Sequence, residues 1–196
     1  MARRSKIEAE KTRERLLKVA RELFEAQGFS DTKVSQIVER AGITKGGLFH
    51  YFPTKEALFR EIWTQLQGEM DAEARQNATA SRSRSDPYAA FLAGCQTYLS
   101  WAARPDYQQI VLIDGPSVLG LAGWYEADND LGRRNVNAGI EYLARKGIVA
   151  RKRVQPLAVL VHNALNGAGF AMARNEPGVT VESVLDAFEA VLKSLR

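Results

Sequence analysis

Residues 42–58 read GITKGGLFHYFPTKEAL. Thr44 can cap a short helix, and Leu48 and Phe52, four residues apart, share one face of it. Pro53 ends that helix, because the residue before a proline avoids the α region. Thr54 can then cap the next one. Two features resist this reading. Gly46 and Gly47 are poor helix formers, each costing about 1 kcal/mol relative to Ala. Phe49, His50, Tyr51 and Phe52 also put four rings in a row. A helix built this way must be held by packing rather than propensity. Its first turn is left bare, which suits close approach to another surface.

The flanks extend the pattern. Leu16, Ala20, Leu23 and Phe24 fall at helical spacing and Gly28 follows as a stop. Thr32 is positioned to cap a second helix, whose stripe is Val34, Ile37, Val38 and Ala41, ended by Gly42. Leu58, Ile62 and Leu66 line a fourth helix over 54–78. The polar stretch ATASRSRSDPY at 78–88 reads as a loop bordering a second unit. Further helices are expected near 88–103, 106–113, 124–146, 154–174 and 180–195. GIVARKRV, residues 147–154, is a weak strand candidate read as a turn. The expected fold is all-α: an N-terminal three-helix helix-turn-helix domain over 1–60, then a helical ligand-binding and dimerisation domain over 61–196.

Charge points to where a partner binds. Residues 1–60 carry 13 Lys/Arg against 8 Asp/Glu, and the remainder carries 14 against 15. A basic first third beside a near-neutral body suits a polyanion, although a solvated surface gives the same count. The basic N-terminus lacks an apolar segment of the secretory type, and no run of apolar residues is long enough for a membrane span. Cys95 is the only cysteine, which suits a reducing cytoplasm. No metal, phosphate-loop or dinucleotide motif stands in a suitable context. Cys95 and His162 make a catalytic pair only on paper, so the chain reads as a non-enzyme without a cofactor.

The segment LLKVARELFEAQGFSDTKVSQIVERAGITKGGLFHYFPTKEALF resembles the DNA-binding domain of the tetracycline-repressor (TetR) family of bacterial transcription regulators. The match covers roughly residues 8–60. Its most distinctive block is AGITKGGLFHYFPTKEAL. The rest of the chain resembles the family only in length and helical character, with LIDGPSVLG at 112–120 similar to a segment of some members. The resemblance implies a homodimer on a near-palindromic operator in double-stranded DNA, a small-molecule inducer in the helical body, and a cytoplasmic repressor.

Residue chemistry fits that implication. Lys33, Lys45 and Lys55 lie at or beside helix starts, where backbone N–H groups also attract phosphate. Thr32, Ser35 and Thr44 offer hydroxyls to caps or phosphate. Lys45 is the only long polar side chain in the first turn of the third helix and is the candidate base reader. Gly46 and Gly47 allow close approach. Phe49 stands where the family often has Tyr, so a phosphate hydrogen bond there is replaced by packing on sugar or a thymine methyl. His50 and Tyr51 point to phosphate, and Arg3, Arg4 and Lys6 form an arm that can reach a minor groove.

In the body, Tyr98, Trp101, Asp114, Trp124, His162, Asn163, Asn166 and Phe170 are candidate ligand contacts. Small residues Ala164, Gly167, Ala168 and Ala171 mark one face of 154–174. Val181, Val184, Leu185, Phe188, Val191, Leu192 and Leu195 mark a stripe of 180–195. These two segments are the expected dimer interface. Two alternatives stay open: an activator or ligand-independent regulator of the same fold, and a helical module whose basic head binds a protein or membrane.

Overall fold

The computed structural model describes residues 2–194, with side chains described from residue 6 onward. Arg3, Arg4 and Leu195 therefore fall outside the described side chains. Helix α1 (Ala2–Asp31) is interrupted at Gly28, whose φ of 77° and ψ of 169° break the helical path. A Cβ there would also lie 3.2 Å from Gln109 Nε2, so both backbone and space call for glycine. Helix α2 (Val34–Ala41) ends at Gly42 in the left-handed region, φ 66°. Helix α3 (Lys45–Tyr51) begins at Thr44, whose hydroxyl accepts from Gly47 N at 3.1 Å, and ends at extended Phe52 before Pro53. Leu48 and Phe52 are buried at 0% and 4% exposure. Their packing holds a helix that its own glycines weaken. Phe24, Phe29 and Phe59 close the head's core, with ring centroids 5.2–5.7 Å apart.

Helix α4 (Lys55–Ala80) starts at Thr54, which accepts from Ala57 N at 3.0 Å. Its 26 residues span roughly 40 Å. Leu58, Phe59 and Ile62 pack toward the head, while Met70 and Ala74 face the body; the buried residues form one continuous apolar cluster. After the loop come α5 (Ala89–Ala102), α6 (Pro105–Tyr107), π1 (Gln108–Asp114) and α7 (Gly115–Leu119). Then follow α8 (Leu121–Asp128), π2 (Asn129–Arg133) and α9 (Arg134–Arg145). Two long helices, α10 (Val154–Ala173) and α11 (Val181–Ser194), complete the body.

The all-helical fold agrees with the sequence reading, and no strand occurs among the described residues. Two details differ. The expected helix at 124–146 begins earlier and carries a π turn at Asn129–Arg133. The expected 106–113 helix runs on through Gly115-Pro116, because proline is tolerated in the first turn of α7. GIVARKRV is a turn, as read from the sequence, with residues 151–153 in a 3-10 turn.

Candidate nucleic-acid interface and interior cavity

The outer face of the helix-turn-helix is built from α2 and α3. Lys33, Ser35, Thr44, Lys45, Gly46 and His50 are exposed, Phe49 is 38% exposed, and Gly47 and Tyr51 are half-buried. No acidic residue occupies the first turn of either helix. Among the described residues, Lys33 and Lys45 pair with no carboxylate. Lys45 instead sits 5.9 Å from the Phe49 ring centroid, one helical turn on. The face therefore presents uncompensated positive charge with aromatic groups beside it.

The two glycines differ. A Cβ on Gly46 would meet nothing within 4 Å, so no internal contact requires glycine there. A Cβ on Gly47 would lie 3.3 Å from Thr44 Oγ1, so its bareness serves the cap.

Two residues expected on this face belong inside. Thr32 is 1% exposed, and its hydroxyl donates to Gly28 O at 2.7 Å. It neither reaches phosphate nor caps α2. The Gln36 side chain does that instead, accepting from Lys33 N at 2.7 Å. Lys55 is half-buried, with Nζ donating to Phe29 O at 2.7 Å and Thr32 O at 2.9 Å, 4.0 Å from the Phe29 ring centroid. Its charge clamps the turn between α1 and α2 rather than standing free for a partner.

The body encloses a cavity of about 390 Å³ between α4, α5, α9 and α10. Its walls are apolar, with Met70, Ala74, Phe91, Cys95 and Leu165 among them. Burial pushes the Cys95 thiol up to about 12, so at neutral pH it is a protonated apolar wall group and not a nucleophile. The polar end gathers Tyr98, Asp128, His162 and Asn166. Asn166 Nδ2 donates to Asp128 Oδ2 at 2.6 Å, and Tyr98 OH donates to Asn166 Oδ1 at 2.8 Å.

Of the eight residues expected to hold a ligand, Tyr98, His162 and Asn166 line this cavity; the other five do not. Trp101 donates to Glu73 at 2.8 Å under the Arg104 guanidinium. Trp124 donates to Val111 O at 3.0 Å and packs on Phe170, 5.4 Å between centroids. Asn163 is exposed and bonds to Tyr125 and Val159 O. Asp114 accepts from the Phe29 amide at 2.8 Å, across the joint between head and body. LIDGPSVLG is thus a joint segment: a Cβ on its Gly115 would lie 3.0 Å from the indoles of both Trp63 and Trp124. Asp128 and Asn135 escaped the sequence reading because they flank and follow a π turn, which rotates the helix face away from a 3.6-residue count.

A second joint lies beside the first. Arg21 of α1 donates to Asp106 Oδ2 at 2.8 Å and to Glu69 at 3.0 Å. Burial would raise the Asp106 carboxyl, but hydrogen bonds from Arg21 and Arg104, and their charges, hold it below its ordinary value. The neighbouring Tyr107 bonds to Gln67 of α4, and Gln67 Nε2 reaches Asp128 Oδ1 at 3.3 Å. A polar chain therefore runs from the cavity's end through Asp128, Gln67 and Tyr107–Asp106 to Arg21 in the head.

The chain is similar to known regulatory proteins. Residues 16–62 match the tetR family of bacterial regulatory proteins, and residues 88–195 match the tetracyclin repressor-like C-terminal domain. The transcriptional regulator AcrR of Shigella flexneri is 42% identical over 76 residues, 37% of this chain and 35% of its own length. The probable acrEF/envCD operon repressor of Escherichia coli K12 is 32% identical over 112 residues, 57% of this chain and 50% of its own. The aligned stretch thus spans half or less of either relative. A solved TetR-family transcriptional regulator from Pectobacterium atrosepticum is 32% identical over 96% of both chains, with a TM-score of 0.80. The chain belongs to the TetR family of bacterial regulatory proteins.

Proposed function

We propose that this chain is a cytoplasmic, homodimeric transcriptional repressor that binds operator DNA through α2 and α3 and is released by a small molecule in the body's cavity. The observation that carries the DNA reading is the outer face of α3: Lys45 without a carboxylate partner beside open Gly46 and exposed Phe49 and His50. A helix of this kind fits the major groove, where Lys can donate to guanine O6 or N7. Lys33 and Ser35 on α2 are placed for the phosphate backbone. Family membership supports the same reading.

Dimerisation is supported by apolar surface that the single chain leaves open. Leu160 is 65% exposed, Val191 59% and Val159 42%, on α10 and α11. Ala164 and Gly167 continue the exposed face of α10 with side chains small enough for close helix approach. A two-fold dimer sets two α3 helices on one face of DNA, hence a near-palindromic site with half-sites about one helical turn or somewhat more apart.

Release follows from linkage. A ligand at the polar end of the cavity disturbs the chain Asp128–Gln67–Tyr107–Asp106–Arg21 and with it the seating of the head. A ~100-fold loss of operator affinity requires only ~2.7 kcal/mol of differential binding, and DNA must lower ligand affinity by the same factor. Selection of bound duplexes from a random pool tests the DNA reading. Enrichment of one near-palindrome is expected; an unenriched pool would overturn it.

A further inference from the structure

The cavity's chemistry specifies what it takes. His162 is 3% exposed, lines the cavity, and has no hydrogen-bond partner for either ring nitrogen. Nε2 lies 3.0 Å from Asp128 Oδ2, but the pair is poorly aligned for a hydrogen bond. Burying an imidazole without partners is costly, so such a group points to an occupant that supplies them. The space around it is built in. A Cβ on Gly132 in π2 would lie 2.7 Å from His162 Nε2, so the glycine admits the ring at this place.

Charge limits what can reach it. The opening carries Arg75, Arg82 and Arg145, of which only Arg75 pairs with a carboxylate among the described residues, Asp71 at 2.7 Å. A cation entering passes these guanidinium groups. A carboxylate that reaches the end meets buried Asp128, whose oxygens already accept from Gln67 and Asn166. The buried end of the ligand is therefore uncharged. A hydroxyl group both donates and accepts, so it can pair with a ring nitrogen of His162 whichever role that nitrogen takes. The remaining wall is apolar, and about 390 Å³ lies within the roughly 300–1,000 Å³ usual for small-molecule sites.

We infer that the cavity binds an uncharged hydroxylated hydrophobic molecule, a phenol or alicyclic alcohol, whose hydroxyl docks on His162 while its apolar body lies along Phe91, Cys95 and Leu165. This rests on the cavity being the effector site proposed above. The test is calorimetric titration of the full-length chain with 4-butylphenol, butylbenzene, 4-butylbenzoate and 4-butylbenzylammonium. The phenol is expected to bind at least about tenfold tighter than each of the other three. In His162→Leu that advantage over butylbenzene should fall below about threefold, with butylbenzene affinity kept. Gly132→Ala, which crowds the ring from the other side, should reduce phenol binding in the same selective way and serves if His162→Leu fails to fold. Equal binding of phenol and butylbenzene, or a preference for either charged probe, would overturn the hydroxyl assignment while leaving an effector cavity in place. Binding of none of the four would overturn both.

Discussion

Gly46 separates stability from function more cleanly than any other residue of the head. Its Cβ position is open and nothing internal needs it bare. Gly46→Ala should therefore raise stability by about 0.5–1 kcal/mol, read by urea denaturation, because alanine is the better helix former. On the proposed interface the same change places a methyl group between α3 and DNA, so operator affinity should fall. A variant that gained stability and kept full affinity would remove the close-approach role. Lys55 makes the opposite case. Its hydrogen bonds to Phe29 O and Thr32 O predict that Lys55→Ala costs about 1–3 kcal/mol of stability in the same measurement. Lys45→Ala should leave stability nearly unchanged and cost about 1–3 kcal/mol of operator binding with relaxed base preference. The sequence distinguished these lysines poorly, since all stand near helix starts. What separates them is the fold around Lys55, where two carbonyls converge from residues 26 and 23 positions earlier.

Among the elements, the joint of α1 with α6 and π1 ties head to body and lies on the proposed route of release. Asp106 is held below its ordinary value by Arg21 and Arg104 against the opposing effect of burial. A carboxyl lowered in the folded state contributes stability above its unfolded pKa and loses it as pH falls through the folded value. Asp106→Asn should thus cost about 1–3 kcal/mol at neutral pH, and the deficit should shrink below about pH 4, as denaturation at several pH values would read. Gln67→Leu breaks the chain between Asp128 and Tyr107. It should weaken the effect of ligand on DNA binding more than it weakens either binding alone, measured as a thermodynamic cycle. Helices with a regular apolar stripe, such as α2 and α3, were legible in sequence because a 3.6-residue period and glycine or proline stops mark them. The π turns carry no such mark. One extra residue per turn in π2 resets the helix face there, so Asp128, Gly132 and Asn135 line the cavity, while Trp124 packs on Phe170 of α10. The contacts of Asp114 and Arg21 were hidden for another reason, since their partners lie 85 residues away in sequence.

At the scale of the whole molecule, the exposed apolar faces of α10 and α11 are the surface of the proposed dimer. Leu160→Glu together with Val191→Glu puts charges on that face, and if the proposed dimer forms there, light scattering should show monomers in place of dimers. The monomer should keep its helical signal yet lose most operator affinity, because one head retains only half of the contacts. The central claim is that the charged outer face of α3 reads a specific duplex. It is tested most directly by fluorescence anisotropy on the selected palindrome and on a scrambled duplex of the same composition, across a salt series. The palindrome should bind at least about 10³-fold tighter at physiological salt, with affinity for both duplexes falling steeply as salt rises. Equal affinity for the two duplexes at every salt concentration would contradict it.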